Sequence, residues 1–400
     1  MAAQAGERLL GDLVEASHLM SMLQVPTAVA EHARHAGFHD VLIYVVDLQQ
    51  RGLHLMTGRD EAGPPVSGEP TKLNVERTLA GRAFRNGEIV QGHSTDGGLE
   101  VWWVPLLSGA ERIGVLRASV EPDRAGALRL LSRLADLTAL LMVSKRPFSD
   151  AYAKLIRTQP MSVWGETQWR LMPPRNFSND RLTIGAALEP AYAPGGDAFD
   201  YALAGDIVKL SIFDAVGHDT AAGLMAGLTV AVARNSRIDG AGPIETGQAI
   251  ETVLHRQFGG ESYVTGLIAD LDTRTGLLSW ANFGHPAPVV IRRGRWVATL
   301  DCPPGVPLGT GLGGEPTLCH EQLEPGDRII LYTDGVVETR NTKRQMFGLE
   351  RFIDFIIRHN AAGLPVPETL RRLVHSILEY HEEGFDDDAT VLLLEWHGSG

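Results

Sequence analysis

Aspartates flank glycine, alanine or threonine at four places in the second half of this chain, each where a predicted strand meets a turn. A strand end holds a carboxylate rigidly, and a neighbouring glycine lets the backbone approach a ligand closely. Carboxylate oxygens suit hard divalent cations such as Mg²⁺ and Mn²⁺, and two such ions can activate a water molecule and clamp a phosphoryl group. The four segments are Gly195-Gly196-Asp197, Phe213-Asp214-Ala215, Thr333-Asp334-Gly335 and Asp386-Asp387-Asp388-Ala389-Thr390.

Each segment taken alone has a simpler explanation. An aspartate beside glycine is common in ordinary turns, and Asp386 to Asp388 alone would be a solvated acidic loop. Brought together without cations, the carboxylates would repel one another and raise each other's pKa. The prediction of a two-metal site therefore depends on all four segments converging.

Two residues next to the second segment have competing roles. His218 could act as a general acid near the leaving oxygen, or it could hold its turn by hydrogen bonding. Asp219 could be an outer group of a metal site, but a helix N-cap is the favoured role. His285, in Gly284-His285-Pro286, is expected to be structural.

Elements that would position these residues follow from hydrophobic periodicity. From Leu182 onward, short apolar strands joined by turns are followed by helices, which indicates an α+β sheet sandwich and not a wound parallel sheet. Predicted strands cover 182–188, 207–213, 263–271, 277–283, 289–292, 328–332 and 390–396, and predicted helices cover 221–233, 243–258, 349–359 and 368–380.

With these motifs in order, residues 181–397 resemble the type 2C (PPM) metal-dependent protein phosphatases, in their SpoIIE/RsbU-like bacterial branch. The resemblance also rests on the stretches 282–288, 305–309 and 323–338. It implies an α-β-β-α sandwich and two divalent cations, Mn²⁺ or Mg²⁺. Asp214 would bridge both ions, the Ala215 carbonyl and Asp197 would bind one, and Asp334 and Asp387 the other. Asp387 fits the family's Asp-x-x-Thr ending, although Asp386 and Asp388 stay open as alternatives.

The resemblance implies a serine/threonine phosphatase in which a metal-activated water attacks, with Asp214 and Asp334 as catalytic residues. Its substrate would be a phosphorylated protein, typically a STAS-domain anti-sigma-factor antagonist. One alternative is an inactive signalling scaffold of the same fold. A cyclic-dinucleotide synthase is a weaker alternative, because here the Gly217-His218 element follows the Gly195-Gly196 turn, and in that family it precedes it.

The first half, 1–145, has its own pattern of helix, strands, short helix, strands and helix. This order, with the stretches 79–88 and 113–116, resembles a GAF domain, a small sensor fold. The resemblance implies either a small-ligand site or a dimerisation or spacer module. Residues 146–180 are predicted to form a helical linker, interrupted at Pro160 and ended by Pro173-Pro174, through which two copies could form a homodimer.

Composition narrows the remaining possibilities. The 400 residues carry 36 Lys+Arg and 49 Asp+Glu, a formal charge of −13, which argues against nucleic acid as a partner. Only Cys302 and Cys319 are present, so we expect no disulfide and no multi-thiolate zinc site. No apolar run reaches membrane-helix length, and no signal peptide is evident. A cytoplasmic protein without membrane contact is therefore expected.

Overall fold

The structure is a computed structural model that describes residues 2–58, 70–95, 97–122, 124, 126–193, 195–217, 219–341, 343–380 and 388–398. The chain divides into two compact units, Met1–Pro160 and Met161–Gly400. This division falls inside the segment 146–180 that was predicted as a linker. The limits at residues 145 and 181 stay predictions.

The first unit is built on a six-stranded antiparallel sheet of order β3-β2-β1-β6-β5-β4. Short 3₁₀ turns occupy Met22–Gln24 and Arg146–Phe148. Its elements are α1 Ala2–Ser17, α2 Val25–His35, β1 His39–Val46, β2 Gly52–Leu55, β3 Lys72–Asn74, α3 Leu79–Asn86, β4 Val90–Gln91, β5 Glu100–Ser108, β6 Glu111–Val120, α4 Ala127–Lys145 and α5 Asp150–Ile156.

Strand alternation gives this sheet two apolar faces. In β1, Ile43 and Val45 point to the face covered by α1, α2, α4 and α5, whereas Tyr44 points to the face covered by α3. The α3 helix is capped before its first residue by Thr78, whose side chain accepts a hydrogen bond from the Gly81 N–H, and after its last residue by Gly87, which has φ 67°. The order of elements matches the sequence analysis, and the GAF-like assignment stays a prediction.

The second unit contains two antiparallel sheets. One has the order β15-β12-β11-β10-β9, and the other has the order β14-β13-β16-β17-β8-β7. Its elements are α6 Val163–Leu171, β7 Asn176–Ser178, β8 Leu182–Glu189, β9 Asp197–Ala204, β10 Ile207–Ala215, α7 Thr220–Ile238, α8 Pro243–Phe258, β11 Val264–Asp272, β12 Leu277–Phe283, β13 Val289–Arg292, β14 Arg295–Thr299, β15 Cys319–Gln322, β16 Arg328–Tyr332, α9 Asp334–Glu338, α10 Leu349–Ala361, α11 Val366–Tyr380 and β17 Ala389–Trp396.

Three apolar cores hold these layers together. The central core joins both sheets, with Ile212 from one and Leu392 from the other. A second core packs α6, α7 and α8 on the five-stranded sheet, and a third packs α9, α10 and α11 on the six-stranded sheet. The unit is therefore layered helix, sheet, sheet, helix, and the predicted α+β class is confirmed.

Cys302 and Cys319 form a disulfide, so the expectation of unpaired cysteines was wrong. Cys302 follows β14 and Cys319 begins β15, and their Cα atoms lie 5.9 Å apart, within the span of a disulfide. Folding of the 303–318 segment back onto the sheet brings the two thiols together. Counting cysteines in the sequence could not reveal that proximity.

Within the described residues, none of the helices combines the length and apolar character needed to cross a membrane.

Candidate metal site

The β9–β10 hairpin places two of the predicted aspartates side by side. Asp197 begins β9 and Asp214 lies near the end of β10, and they are directly opposite one another in the antiparallel ladder. Cβ atoms of opposite residues in such a ladder lie about 4.5–5.5 Å apart, where like charges are unfavourable. Asp197 is 2% exposed, so this pair of carboxylates is partly withdrawn from water.

The turn before β9 leads the backbone close to Ala215, whose carbonyl was predicted as a ligand. The Ala215 N–H donates to the Gly196 carbonyl at 3.1 Å. A Cβ atom added at Gly196 would lie 2.2 Å from the Ala215 oxygen, so only glycine fits. The Ala215 carbonyl therefore lies against the loop that leads into Asp197.

A third carboxylate reaches this loop from the other sheet. Asp388, immediately before β17, is buried and accepts hydrogen bonds from the N–H groups of Gly195 at 2.6 Å and Asp197 at 3.1 Å. Asp386 and Asp387 lie outside the described residues, as does His218. The predicted roles of Asp387 and His218 are therefore not placed by the structure, and both stay predictions.

The turn between β16 and α9 completes the group. Asp334 is the first residue of α9, and the preceding Thr333 donates its hydroxyl to the Asp197 carboxylate at 2.7 Å. Gly335 lies so close to the Asp388 carbonyl that an added Cβ would be 1.8 Å from that oxygen. Segments more than a hundred residues apart are thus locked together around Asp197.

The electrostatics of Asp197 follow from this packing. Burial raises the pKa of Asp197 well above its ordinary value, and the neighbouring charges of Asp214 and Asp388 raise it further. The hydroxyl of Thr333 opposes that shift by donating to the carboxylate. A divalent cation at this position would offset the repulsion between the Asp197 carboxylate and those of Asp214 and Asp388.

All the predicted ligand atoms are oxygens, which suit Mg²⁺ or Mn²⁺. Zn²⁺ is often bound instead by sulfur ligands. Within the parts of the chain that the structure describes, no group of three acidic, histidine or cysteine side chains is arranged closely enough to hold an ion. Asp197, Asp214, Asp334 and the Ala215 carbonyl lie within the described residues and stay predicted ligands, whereas the predicted Asp387 lies outside them.

His285 supports the site from behind, in the structural role expected of it. It is buried, and its Nδ1 lies 2.9 Å from the Thr265 hydroxyl, while Thr265 pairs with Asp214 across the β10–β11 ladder. The Asn282 side chain holds the His285 backbone at both its N–H and its carbonyl, each at 2.8 Å. Burial lowers the pKa of His285 to about 3, so the ring is neutral at neutral pH.

The supporting role of Asp219 was predicted from the sequence, whereas those of Asp388, which was an alternative metal ligand, and Thr333 were not. Asp388 and Thr333 act as hydrogen-bonding partners of the Asp197 segment, and the only available signal was their place inside the acidic motifs. Asp219 accepts hydrogen bonds from the N–H groups of Ala221 and Ala222 at the start of α7, which confirms the predicted N-cap.

Comparison with known proteins identifies relatives of the second unit. Residues 204–397, just under half of the chain, match the family model described as Stage II sporulation protein E (SpoIIE). Among curated proteins, the chain is 21% identical over 237 residues to phosphoserine phosphatase RsbU of Bacillus subtilis, covering 58% of this chain and 69% of RsbU. The family predicted from the motifs is therefore confirmed for this part of the chain.

Solved structures give a weaker likeness. The RsbU and RsbW domains of Rv1364c from Mycobacterium tuberculosis are 26% identical with a TM-score of 0.47, covering 57% of this chain and 62% of that chain. The SiaA-PP2C domain of Pseudomonas aeruginosa is 22% identical with a TM-score of 0.47, covering 53% and 85% respectively. Since both TM-scores lie below 0.5, the family assignment rests on the sequence matches.

Proposed function

We propose that this chain hydrolyses phosphoserine or phosphothreonine on a protein substrate in a metal-dependent reaction, because residues 204–397 match the SpoIIE family model and a relative is named a phosphoserine phosphatase. The observation that carries the proposal is the convergence of acidic segments from both sheets on Asp197. Asp214 lies opposite Asp197 in the ladder, Asp388 accepts a hydrogen bond from the Asp197 N–H, and Thr333, which precedes Asp334, donates its hydroxyl to the Asp197 carboxylate.

In this proposal two divalent cations, Mn²⁺ or Mg²⁺, are held by Asp197, Asp214, the Ala215 carbonyl, Asp334 and Asp387. When bound, such a pair supplies an activated water and neutralises charge on the phosphoryl group. The chain's own contribution is to hold the ligands. Thr333 orients the Asp197 carboxylate, Asp388 holds the Gly195–Asp197 backbone, and the His285–Thr265 contact supports the strand next to Asp214.

The substrate and regulation are proposed from the family. One relative is named a phosphoserine phosphatase, which supports a phosphorylated protein, and the SpoIIE resemblance favours a STAS-domain anti-sigma-factor antagonist in the cytoplasm. The first unit would regulate the reaction as a GAF-like sensor with a small ligand, and residues 146–180 would pair two copies.

A turnover assay tests the central proposal. Purified full-length protein with Mn²⁺ should hydrolyse p-nitrophenyl phosphate and a phosphoserine peptide, and Asp214→Asn and Asp334→Asn should each abolish the activity. Asp206→Asn is a matched control, because Asp206 lies between β9 and β10 at the far end of the same hairpin and pairs with Arg181. Unchanged turnover in both site variants would refute the site.

Calorimetry separates this function from the inactive scaffold. A phosphatase should bind Mn²⁺, and the binding should weaken in Asp214→Asn. Protein that is folded yet releases no heat with Mn²⁺ at millimolar concentration would favour the scaffold.

A further inference from the structure

The helix α6, directly after the division between the two units, makes polar contacts with the loop that carries Asp197. Trp164 donates its indole N–H to the Gly195 carbonyl at 3.0 Å. The Gln168 amide donates to the carbonyl of Asp197 itself. The α6 helix thus donates to the backbone carbonyl of the proposed metal ligand, Asp197, and to that of Gly195, two residues before it.

These contacts complement the hydrogen bonds that Asp388 makes with the same two residues. Asp388 accepts from the N–H groups of Gly195 and Asp197, while α6 donates to the carbonyls of the same two residues. The loop backbone is consequently held through both its donors and its acceptors. With the Thr333 hydroxyl on the carboxylate, little freedom remains for Asp197 to move.

Helix α7 contains a space shaped for the Trp164 ring. An added Cβ at Gly223 would lie 2.2 Å from the indole, and one at Gly227 would lie 2.8 Å from it. The two glycines, one helical turn apart, let the ring pack directly on the α7 backbone. Glycine in a helix interior is destabilising relative to alanine, so the two glycines that admit the Trp164 ring weaken α7 itself.

The burial and hydrogen bonding of Gln168 favour a positioning role for α6 over a role limited to covering the core. Gln168 is 1% exposed, so its polar amide is buried. An apolar residue at this position would cover the sheet without the cost of burying a polar group. Its amide nitrogen is used on the Asp197 carbonyl, and its Oε1 has no hydrogen-bond partner among the described residues. A buried amide with one end unpartnered is costly, which is consistent with a specific use for the other end.

We propose that Trp164 and Gln168 are positioning residues for Asp197, and that their hydrogen bonds to the loop set the affinity of the site for a divalent cation. This inference rests on the proposed function, because Asp197 must be a metal ligand. It goes beyond that function by assigning part of the metal affinity to a helix outside the acidic motifs.

The test measures Mn²⁺ affinity of the full chain by calorimetry, alongside turnover at saturating Mn²⁺. Trp164→Phe keeps an aromatic ring and removes the donor, and Gln168→Met keeps an unbranched side chain and removes the donor. Each should raise the Mn²⁺ dissociation constant about 10-fold, as loss of a ligand's hydrogen-bonding partner typically does. Turnover at saturating metal should change less than about 3-fold, since the ligands themselves remain.

Arg170→Gln is the matched control on the same helix, because Arg170 is largely exposed and pairs with Glu166 within α6. Its dissociation constant should equal that of the wild type. All variants are compared at a temperature at which circular dichroism shows them folded, so that a lost fold is not mistaken for lost affinity.

Gly223→Ala approaches the same contact from α7 and leaves both donors chemically intact. Its added methyl group would displace the Trp164 ring, so the Mn²⁺ dissociation constant should again rise. In a Trp164→Ala background the same substitution should add no further loss, because the clash is gone.

The results of these binding measurements distinguish a failure of the positioning role from a failure of the proposed phosphatase function. If wild-type protein binds Mn²⁺ and the folded Trp164→Phe and Gln168→Met variants bind it equally well, the positioning role is overturned and the phosphatase proposal survives. If wild-type protein binds no Mn²⁺, both are overturned. An affinity loss confined to Trp164, Gln168 and Gly223, and absent in Arg170→Gln, supports the inference.

Discussion

Two buried aspartates on the same strand, Asp197 and Asp200 of β9, have opposite surroundings. Asp197 is 2% exposed, and its pKa is raised first by this burial and then by the neighbouring charges of Asp214 and Asp388. Asp200 is 1% exposed and forms ion pairs with Arg234 and Arg237 of α7. One strand therefore carries a carboxylate among carboxylates and, three residues later, a carboxylate between two guanidinium groups.

Asp197 and Asp200 have different surroundings because they lie three residues apart, an odd number, in β9. Successive side chains of a strand point to opposite faces, so Asp197 joins Phe199 on the face between the two sheets, whereas Asp200 joins Ala198 on the face toward α7. The helix side supplies arginines that neutralise charge. The side between the sheets adds further acids at the edge of the core, which is unfavourable unless a cation is bound.

Two other buried acids of the second unit, Asp327 and Glu368, follow the pattern of Asp200. Asp327 pairs with Arg292, and Glu368 pairs with Arg371 and Arg372. Because burying an unpaired charge is costly, these pairs are what structural carboxylates require. Asp197 departs from that rule in the direction expected of a metal ligand.

Asp197→Asn is the strongest test of the difference between Asp197 and Asp200. We expect turnover to fall at least about 1,000-fold, because metal stabilisation of the transition state is worth several kcal/mol. The metal-free protein should be as stable as wild type or more stable, because one of several repelling carboxylates is gone. Phosphopeptide turnover and urea denaturation in the presence of a chelator measure the two effects. A marked loss of metal-free stability would show that the carboxylates are not in conflict.

Asp200→Asn should give the opposite result. Removing one member of a buried ion pair typically costs about 3–5 kcal/mol, and since Arg234 and Arg237 are each about a quarter exposed, we expect about 2–3 kcal/mol. Turnover of the protein that remains folded should stay near the wild-type value. Urea denaturation measures the free energy of unfolding, and Asp200→Glu, which keeps the charge, serves as control. A variant that lost activity while keeping its stability would move Asp200 into the site.

The sequence predicted much of this arrangement, because the strands that form the cores are continuous apolar runs. The segments 182–188, 207–213, 277–283 and 328–332 lie inside the strands β8, β10, β12 and β16. The α7 and α8 helices and the α3 stop at Gly87 likewise followed from periodicity and capping. Asp197 was found because it follows the Gly195-Gly196 pair and is the first of four acidic motifs that occur in a recognisable order.

Other features depended on contacts distant in sequence. β9 and the short β7 were not predicted, since β9 contains two aspartates and is buried by the other sheet on one face and by α7 on the other. The different roles of Asp197 and Asp200 required the strand register and the arginines of α7. The polar contacts of α6 with the 195–197 loop, and the Cys302–Cys319 disulfide, join segments that no local pattern connects.

The smallest effect in this series should come from Asp206→Asn, at the turn of the same hairpin. Asp206 is about half exposed and pairs with Arg181, which is itself more than a third exposed. Exposed ion pairs gain little, because water and salt screen the charges and two long side chains must be ordered, so the free energy of unfolding should change by less than about 1 kcal/mol. Urea denaturation at low and at high salt measures that change, and Arg181→Gln should reproduce it. Since Asp197, Asp200 and Asp206 share one hairpin, graded results in this order would show that the surroundings of each carboxylate decide whether it serves the reaction, the fold or neither. A loss at Asp206 as large as that at Asp200 would mean that position along the hairpin, and not the neighbouring charges, sets the energetic role of these acids.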